Sequence, residues 1–137
     1  MTMSAAKADV ILNADLQNGT PYVMLHVGDP SYNGTANEAQ KPSAAGDIAR
    51  KAATFGAAAN HAENTERTAV TTADIEWSGA EIDASQEITH FSVWDAETAG
   101  NLLHVAAVTT PKTTGSDGVT IATGDLEVAI TVYAKPA

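Results

Sequence analysis

The four histidines are the side chains of this sequence best suited to acid–base or metal chemistry near neutral pH. They stand singly, at His26, His61, His90 and His104, and no two have the His-x-x-x-His spacing of a zinc-binding helix. His90 and His104 would meet across a hairpin if its register allowed, but two ligands are one short of the usual catalytic zinc site. We therefore expect locally satisfied histidines and no metal site.

Other catalytic groups are as sparse. The chain has no cysteine, which removes thiol catalysis, and it contains neither a Gly-x-Ser-x-Gly elbow nor a Gly-x-x-x-x-Gly-Lys phosphate loop. The acid pairs Glu76 with Glu81 and Asp95 with Glu97 resemble a glycosidase dyad, yet nothing in the sequence fixes their separation. We expect no enzyme, no catalytic residue and no cofactor.

The charge of the chain argues against two classes of partner. Seventeen acidic residues against seven basic ones give a net charge of −10, and such a surface repels phosphate backbones. No apolar run approaches the ~20 residues of a membrane helix, and the N-terminus lacks the order of a signal peptide. We expect neither nucleic acid nor membrane as a partner. The acidic cluster at Glu76, Glu81, Asp83 and Glu87 is interpreted as a solvated face, with a cation site as the alternative.

The pattern of apolar residues predicts the elements that carry these side chains. A helix is expected over residues 4–17, capped by Ser4 and ended by Asn18-Gly19, within an N-terminal segment 1–19. Strands are expected at 22–27, 48–55, 66–77 with a break, 89–108 as a hairpin around Gly100-Asn101, 119–121 and 126–133. This pattern favours one domain over 1–137: a mainly β, antiparallel, jelly-roll-like β-sandwich with a short N-terminal helix and one long loop.

The last strand shows the clearest alternation. Its even positions are apolar throughout, whereas the odd ones include Glu127 and Thr131. Period-two alternation predicts that one face is buried, formed by Leu126, Val128, Ile130 and Val132.

The long loop, residues 28–47, is the candidate for partner binding. Turn formers and small polar residues dominate it, and loops of this length in a compact domain are usually functional or disordered. Tyr32 is its one aromatic residue and suits an interface anchor. An exposed, variable loop without an assigned role is the alternative. Among possible sugar platforms, Tyr32, Trp77 and Trp94, the two tryptophans lie in predicted strands and are expected to be core.

Several short motifs occur in a recognisable order. They are Ala-Ala-Lys at 5–7, Met24-Leu25-His26 into Asp29-Pro30, Gly34-Thr35-Ala36-Asn37-Glu38, Ile48-Ala49-Arg50-Lys51-Ala52, residues 89–96, and Gly100-Asn101-Leu102-Leu103 into 109–112. In this order the chain resembles a family of small tailed-phage virion proteins, often labelled phage tail fibre or minor tail proteins. It departs from the family pattern at Ile48 and in the acidic segment 81–87.

The resemblance implies a structural protein of the virion, made in the host bacterial cytoplasm. We expect a capsid decoration or minor capsid protein that binds the major capsid protein as a homo-oligomer, because the chain is small, lacks a shaft repeat and is strongly acidic. A minor tail or tail fibre component that contacts tail proteins is the alternative, and a carbohydrate- or receptor-binding module is a third hypothesis. The predicted partner-binding residues are Tyr32, Asn37, Glu38 and Arg50.

Overall fold

Antiparallel strands dominate the computed structural model, which describes residues 3–60 and 65–133. One α-helix, α1 (Ala5–Leu16), precedes the sheets, and a 3-10 turn (Pro42–Ala44) interrupts the long loop. In chain order the strands are β1 (Tyr22–His26), β2 (Lys51–Ala52), β3 (Ala59–Asn60), β4 (Glu66–Val70), β5 (Ile75–Ser78), β6 (Glu87–Trp94), β7 (Leu102–Thr113), β8 (Gly118–Ile121) and β9 (Glu127–Thr131). The mainly β class with one N-terminal helix is confirmed.

The described strands divide among three hydrogen-bonded sheets. The largest has the order β2-β1-β6-β7, a second has β3-β4-β9, and β5 pairs with β8. Every pairing between these strands is antiparallel. The apolar side chains of all three sheets and of α1 meet in one buried cluster.

The two faces of the four-stranded sheet have different neighbours. Cross-strand partners share a face, so Tyr22 with Trp94, Met24 with Ser92 and His26 with His90 define one side. The opposite side carries Leu25 with Phe91 and Val93 with His104. The first side is covered by the long loop and the second faces α1, as the contacts below establish. We call them the loop-covered face and the helix-side face.

Helix α1 begins and ends where its sequence predicts. Ser4 accepts a hydrogen bond from the Lys7 backbone N–H, and Ala8, Leu12 and Leu16 form the buried stripe. On one flank Asp9 pairs with Arg67 of β4 at 2.6 Å, and near the other end Asp15 contacts His104 of β7 at 2.9 Å. The helix therefore connects the two larger sheets through one charged contact at each flank.

Two strand predictions are corrected. The expected strand at 48–55 shrinks to the two residues of β2, because Ile48 and Phe55 make only isolated backbone contacts on either side of it. The expected strand at 66–77 divides at its break into β4 and β5, which belong to different sheets. The hairpin is confirmed as β6 and β7, although β7 runs on through Pro111.

The buried face of the last strand is confirmed for three of its four residues. Leu126, Val128 and Val132 are buried, whereas Ile130 is partly exposed and packs at the margin of the core. In the described parts of the chain, no helix is both long and apolar enough to cross a lipid bilayer.

Truncation of Leu126 to alanine should destabilise the protein far more than truncation of Ile130. Leu126 is fully buried, so its loss removes apolar burial and leaves a cavity, at a cost of about 2–5 kcal/mol. Ile130→Ala, at a partly exposed side chain, should cost clearly less. Urea unfolding of both variants measures the difference, and equal losses would contradict this assignment of the core.

Candidate partner-binding surface

The long loop lies flat on the sheet instead of projecting from it. Its return segment pairs with the end of β1: the Val27 N–H donates to the Asn37 carbonyl at 2.8 Å, and the Ala39 N–H donates to the Leu25 carbonyl at 3.0 Å. The next residue is also fixed, since the Gln40 N–H donates to the Gln86 side chain at 2.8 Å. We call residues 28–47 the covering loop, because this segment buries Met24, His26, Ser92 and Trp94 of the loop-covered face.

A hydrogen-bond chain through His26 holds the covering loop from below. The His26 Nδ1 lies 2.8 Å from the Ala36 carbonyl, and its Nε2 lies 2.8 Å from the Ser92 hydroxyl. A carbonyl only accepts, so Nδ1 carries the ring proton and Nε2 accepts the Ser92 hydroxyl proton. The Ser92 oxygen in turn accepts from the Trp94 indole N–H at 2.8 Å. Each polar atom in this buried chain thus has a partner.

This Ser–His contact does not form a catalytic dyad. A nucleophilic serine must be reached by a substrate, but Ser92 and His26 both have 0% exposure. The histidine pair anticipated across the hairpin does not form either. The register places His104 opposite Val93 and His90 opposite Ala107, and His104 instead contacts Asp15. His61 lies outside the described residues.

Arg50 connects the covering loop's end to the tip of the β6–β7 hairpin. Its guanidinium carbon lies 3.8 Å from the Trp94 ring centroid, a cation–π stack. Its Nη1 donates to the Ala96 carbonyl at 2.9 Å and to the Ala99 carbonyl at 2.7 Å. Arg50 is therefore largely committed to contacts within the molecule.

The hairpin tip itself is closed by an aspartate. Asp95 accepts hydrogen bonds from the backbone N–H and the side-chain amide of Asn101, at 2.7 and 2.9 Å. These bonds to its charged form lower the pKa of the Asp95 carboxyl below its usual range. Gly100 supplies the positive φ that this turn requires.

Glu38 lies beside a second acid. Burial, together with the neighbouring charge and hydrogen bond of Asp47, raises the pKa of the Glu38 carboxyl. Its backbone forms an isolated bridge with His26, and Arg50 opposes the shift electrostatically. The predicted site residues Glu38 and Arg50 are thus brought into one electrostatic group, but as part of the anchoring of the loop.

Tyr32 and Asn37 lie at the outer side of the covering loop. Tyr32 is 93% exposed, the extreme among the large apolar or aromatic side chains described. Asn37 adopts a positive φ of 55° and donates from its side chain to the Asp29 carbonyl at 2.9 Å. The structure therefore presents Tyr32 outward and uses Asn37 to close the loop beneath it. We call residues 31–35, which carry Tyr32, the tip.

The tip is held in one conformation by short-range bonds and by a glycine. The Ser31 N–H donates to the Asp29 side chain at 2.8 Å, and the Ala36 N–H donates to the Pro30 carbonyl at 3.0 Å. Gly34 has a φ of +73°, and a Cβ there would lie 2.7 Å from the Leu102 side chain. The packing of Gly34 against Leu102 and Trp94 fixes the tip to the loop-covered face.

The other aromatic candidates are buried, as expected for tryptophans in strands. Trp77 is 1% exposed and donates its indole N–H to the Ala49 carbonyl at 2.8 Å. Trp94 is 7% exposed beneath Arg50. Neither offers an open ring face for a sugar, so Tyr32 is the one of the three candidate platforms that is accessible.

The acid pairs considered from the sequence have structural partners. Glu81 accepts from the Ser78 backbone N–H at 3.0 Å and forms an ion pair with Lys51. The hydrogen bond from Lys51 and that from Ser78 lower the pKa of Glu81 to about 2. A carboxyl held ionised in this way is unsuited to act as a general acid at neutral pH.

Comparison with known proteins then gives the family. Residues 3–129 match the family described as podophage GP4 fiber I protein gp80, which is nearly the whole chain. The chain belongs to this family. It is accordingly a structural protein of the phage virion, as the order of its motifs indicated. None of the curated proteins matches it.

Sequence reasoning found the exposed residue of the family member's covering loop but missed its anchor. His26 was considered only as a chemical group, and Ser92 was not considered at all, because the two lie 66 residues apart in sequence. A polar residue at the end of an otherwise apolar strand, as at His26, was the available signal.

The stability of the protein should fall as the pH falls through the histidine range, and His26 should be one cause. Burial lowers the pKa of His26, so the unfolded chain, with a histidine pKa of about 6.5, takes up a proton before the folded one does. The contribution of the neutral ring is complete above that value and is lost as the pH falls through the lowered folded pKa. Protonation would also leave the Ser92 hydroxyl proton without its acceptor.

Urea unfolding of the wild type and His26→Gln between pH 8 and 5 measures this effect. The variant should be less stable at pH 8 but lose less stability on acidification. The raised pKa of Glu38 acts in the opposite direction in both proteins, so the difference between the two pH profiles isolates His26. Parallel profiles would contradict the prediction.

Replacement of Arg50 by lysine should loosen the hairpin tip without removing the charge. Lysine lacks the planar guanidinium that stacks on Trp94 while donating to two carbonyls. Amide hydrogen exchange at Asp95 and Asn101 should accelerate at least about tenfold, which corresponds to the loss of one charge-assisted hydrogen bond. Lys51→Arg, at the neighbouring cation, is the matched control and should leave these amides unchanged. Unaltered exchange in Arg50→Lys would refute the role of the stack.

Proposed function

We propose that this protein is a non-enzymatic structural component of the phage tail fibre, assembled from protein made in the host cytoplasm. The match of residues 3–129 to a podophage fibre family carries the proposal. The same match supports a fibre role better than the capsid decoration role that the sequence analysis put first. The domain would serve as a compact block of the fibre, since its sequence holds no shaft-forming repeat.

The surface proposed to contact other virion proteins is the outer side of the covering loop, with Tyr32 as its anchor. The tip is preorganised, so binding would lose little conformational entropy, and an exposed tyrosine adds a large amphipathic contact area. Its neighbours Glu38 and Arg50 support the loop from inside. The acidic surface argues against nucleic acid as the partner.

Localisation of the protein in purified virions tests the assignment. Gold-labelled antibody on intact particles, together with mass-spectrometric copy counting, should place a small number of copies at the tail. Label spread over the head, at a copy number comparable with that of the major capsid protein, would favour capsid decoration instead. Absence from purified particles would contradict both roles.

Tyr32→Ala should reduce incorporation of the protein into virions while leaving its fold intact, because the side chain is almost wholly exposed. Tyr133→Ala is a matched control, since Tyr133 is 71% exposed at a distant point of the chain. Both variants should unfold at the wild-type urea midpoint. Equal incorporation of the two variants would remove Tyr32 from the proposed surface.

A further inference from the structure

The end of helix α1 borders an open cleft of about 330 Å³ that lacks charged residues. Its floor is apolar and buried, formed by Leu16, Pro21 and Phe55, and its rim carries the polar side chains of Gln17, Thr20 and Thr54. This combination suits a tyrosine, whose ring is apolar and whose hydroxyl needs a polar neighbour. We call it the helix-end cleft.

We propose that the helix-end cleft receives Tyr32 of a second copy of this chain, so that copies join tip to cleft. This inference rests on the proposed fibre function, which requires repeated association of virion proteins. It adds the partner and the surface: the partner is the same chain, and the two halves of the contact are different surfaces of it.

Charge favours a second copy as the occupant. Each copy carries a net charge of −10, so two copies can approach closely only where acidic residues are absent. The tip, residues 31–35, is uncharged, and so are all nine residues that line the helix-end cleft. Two other cavities of the described chain differ: one, of about 270 Å³, is lined by Asp15 and Asp95, and another, of about 380 Å³, by Glu76, Glu81 and Asp117.

The position of the two surfaces determines the type of assembly. The tip belongs to the covering loop on the loop-covered face, where Gly34 packs on Trp94 and Leu102. The cleft includes Leu16 of α1, on the helix-side face, where Asp15 contacts His104. Tyr32 therefore cannot reach the cleft of its own chain. A contact between two different surfaces is heterologous, and repeated copies form a ring or an open filament.

The exposed sheet edge is a poorer site for self-association. β7 forms one edge of the four-stranded sheet, but its register with β6 shifts between Ile88 and His90 and again between Val93 and Trp94. Pro111 also lies in this strand. Bulges and proline are features that protect sheet edges from pairing with another chain. We therefore assign the contact to side chains and not to strand addition.

Chemical cross-linking tests the contact directly, because the chain contains no cysteine. Asn33→Cys at the tip and Thr54→Cys at the rim of the cleft are combined in one chain. A short bis-maleimide linker, which tolerates several ångströms of misplacement, is applied to the purified protein and to purified virions. Tip-to-cleft docking predicts a ladder of dimers, trimers and longer species on a denaturing gel.

Two controls make the result specific. Asn33→Cys with Glu76→Cys, which moves the second thiol to a charged cavity, should give only background linking. Adding Tyr32→Ala to the first pair should lower the linked fraction by about thirtyfold, the effect of removing one interface hot spot. Background linking in both cysteine pairs, or a ladder that persists with Tyr32→Ala, would overturn the proposal.

The virion measurement separates this inference from the proposed function. A protein located in the fibre whose tip and cleft do not cross-link retains its function and refutes self-docking. If Tyr32→Ala also blocks incorporation in that case, the tip binds a different virion protein. A ladder formed by a protein that is absent from the fibre would support self-docking and refute the fibre role.

Discussion

The hydrogen-bond chain from Ala36 through His26 and Ser92 to Trp94 is the interaction on which the loop-covered face depends. It allows three polar groups to lie in the interior between a sheet and an irregular loop, where an unpaired polar atom would cost several kcal/mol. Among the described residues, no buried side-chain nitrogen or oxygen lacks a partner. A loop without regular structure can cover a sheet only under this condition, because its own backbone groups also need partners.

Fixing the covering loop has a consequence for recognition. The histidine holds Ala36 from one side, Gly34 packs on Trp94 from the other, and the residues between them have little freedom. Tyr32 is therefore presented on a rigid support, although it makes no contribution to the core. Interfaces gain affinity when such an anchor is ordered before binding, and arrays of copies multiply contacts that are weak individually.

Acidic charge restricts where this protein can associate with copies of itself. The carboxylates at Asp95 and Glu81 are held ionised by local hydrogen bonds, so they stay charged well below neutral pH. Uncharged patches on the chain are correspondingly informative, and the tip and the helix-end cleft are two such patches on opposite faces. In a fibre protein this arrangement links surface chemistry to the geometry of assembly.

The sequence by itself determined the elements whose causes are local. Ser4 caps α1 because its side chain reaches a backbone N–H three residues away, and alternation along residues 126–132 identified most of a buried face. The order of short motifs was enough to indicate a phage virion protein. The exposure of Tyr32 was also predictable, since the tip offers it no apolar neighbours in sequence.

Only the tertiary structure decided what the covering loop does. The contact between His26 and Ser92, and the stack of Arg50 on Trp94, join residues that are more than 40 positions apart, and no periodicity records such pairs. The short length of β2 has the same origin, because residues 48–55 have the composition of a strand but meet a partner strand only at Lys51 and Ala52. Local propensity specifies backbone conformation, whereas the partner of a polar side chain is fixed by how distant segments pack.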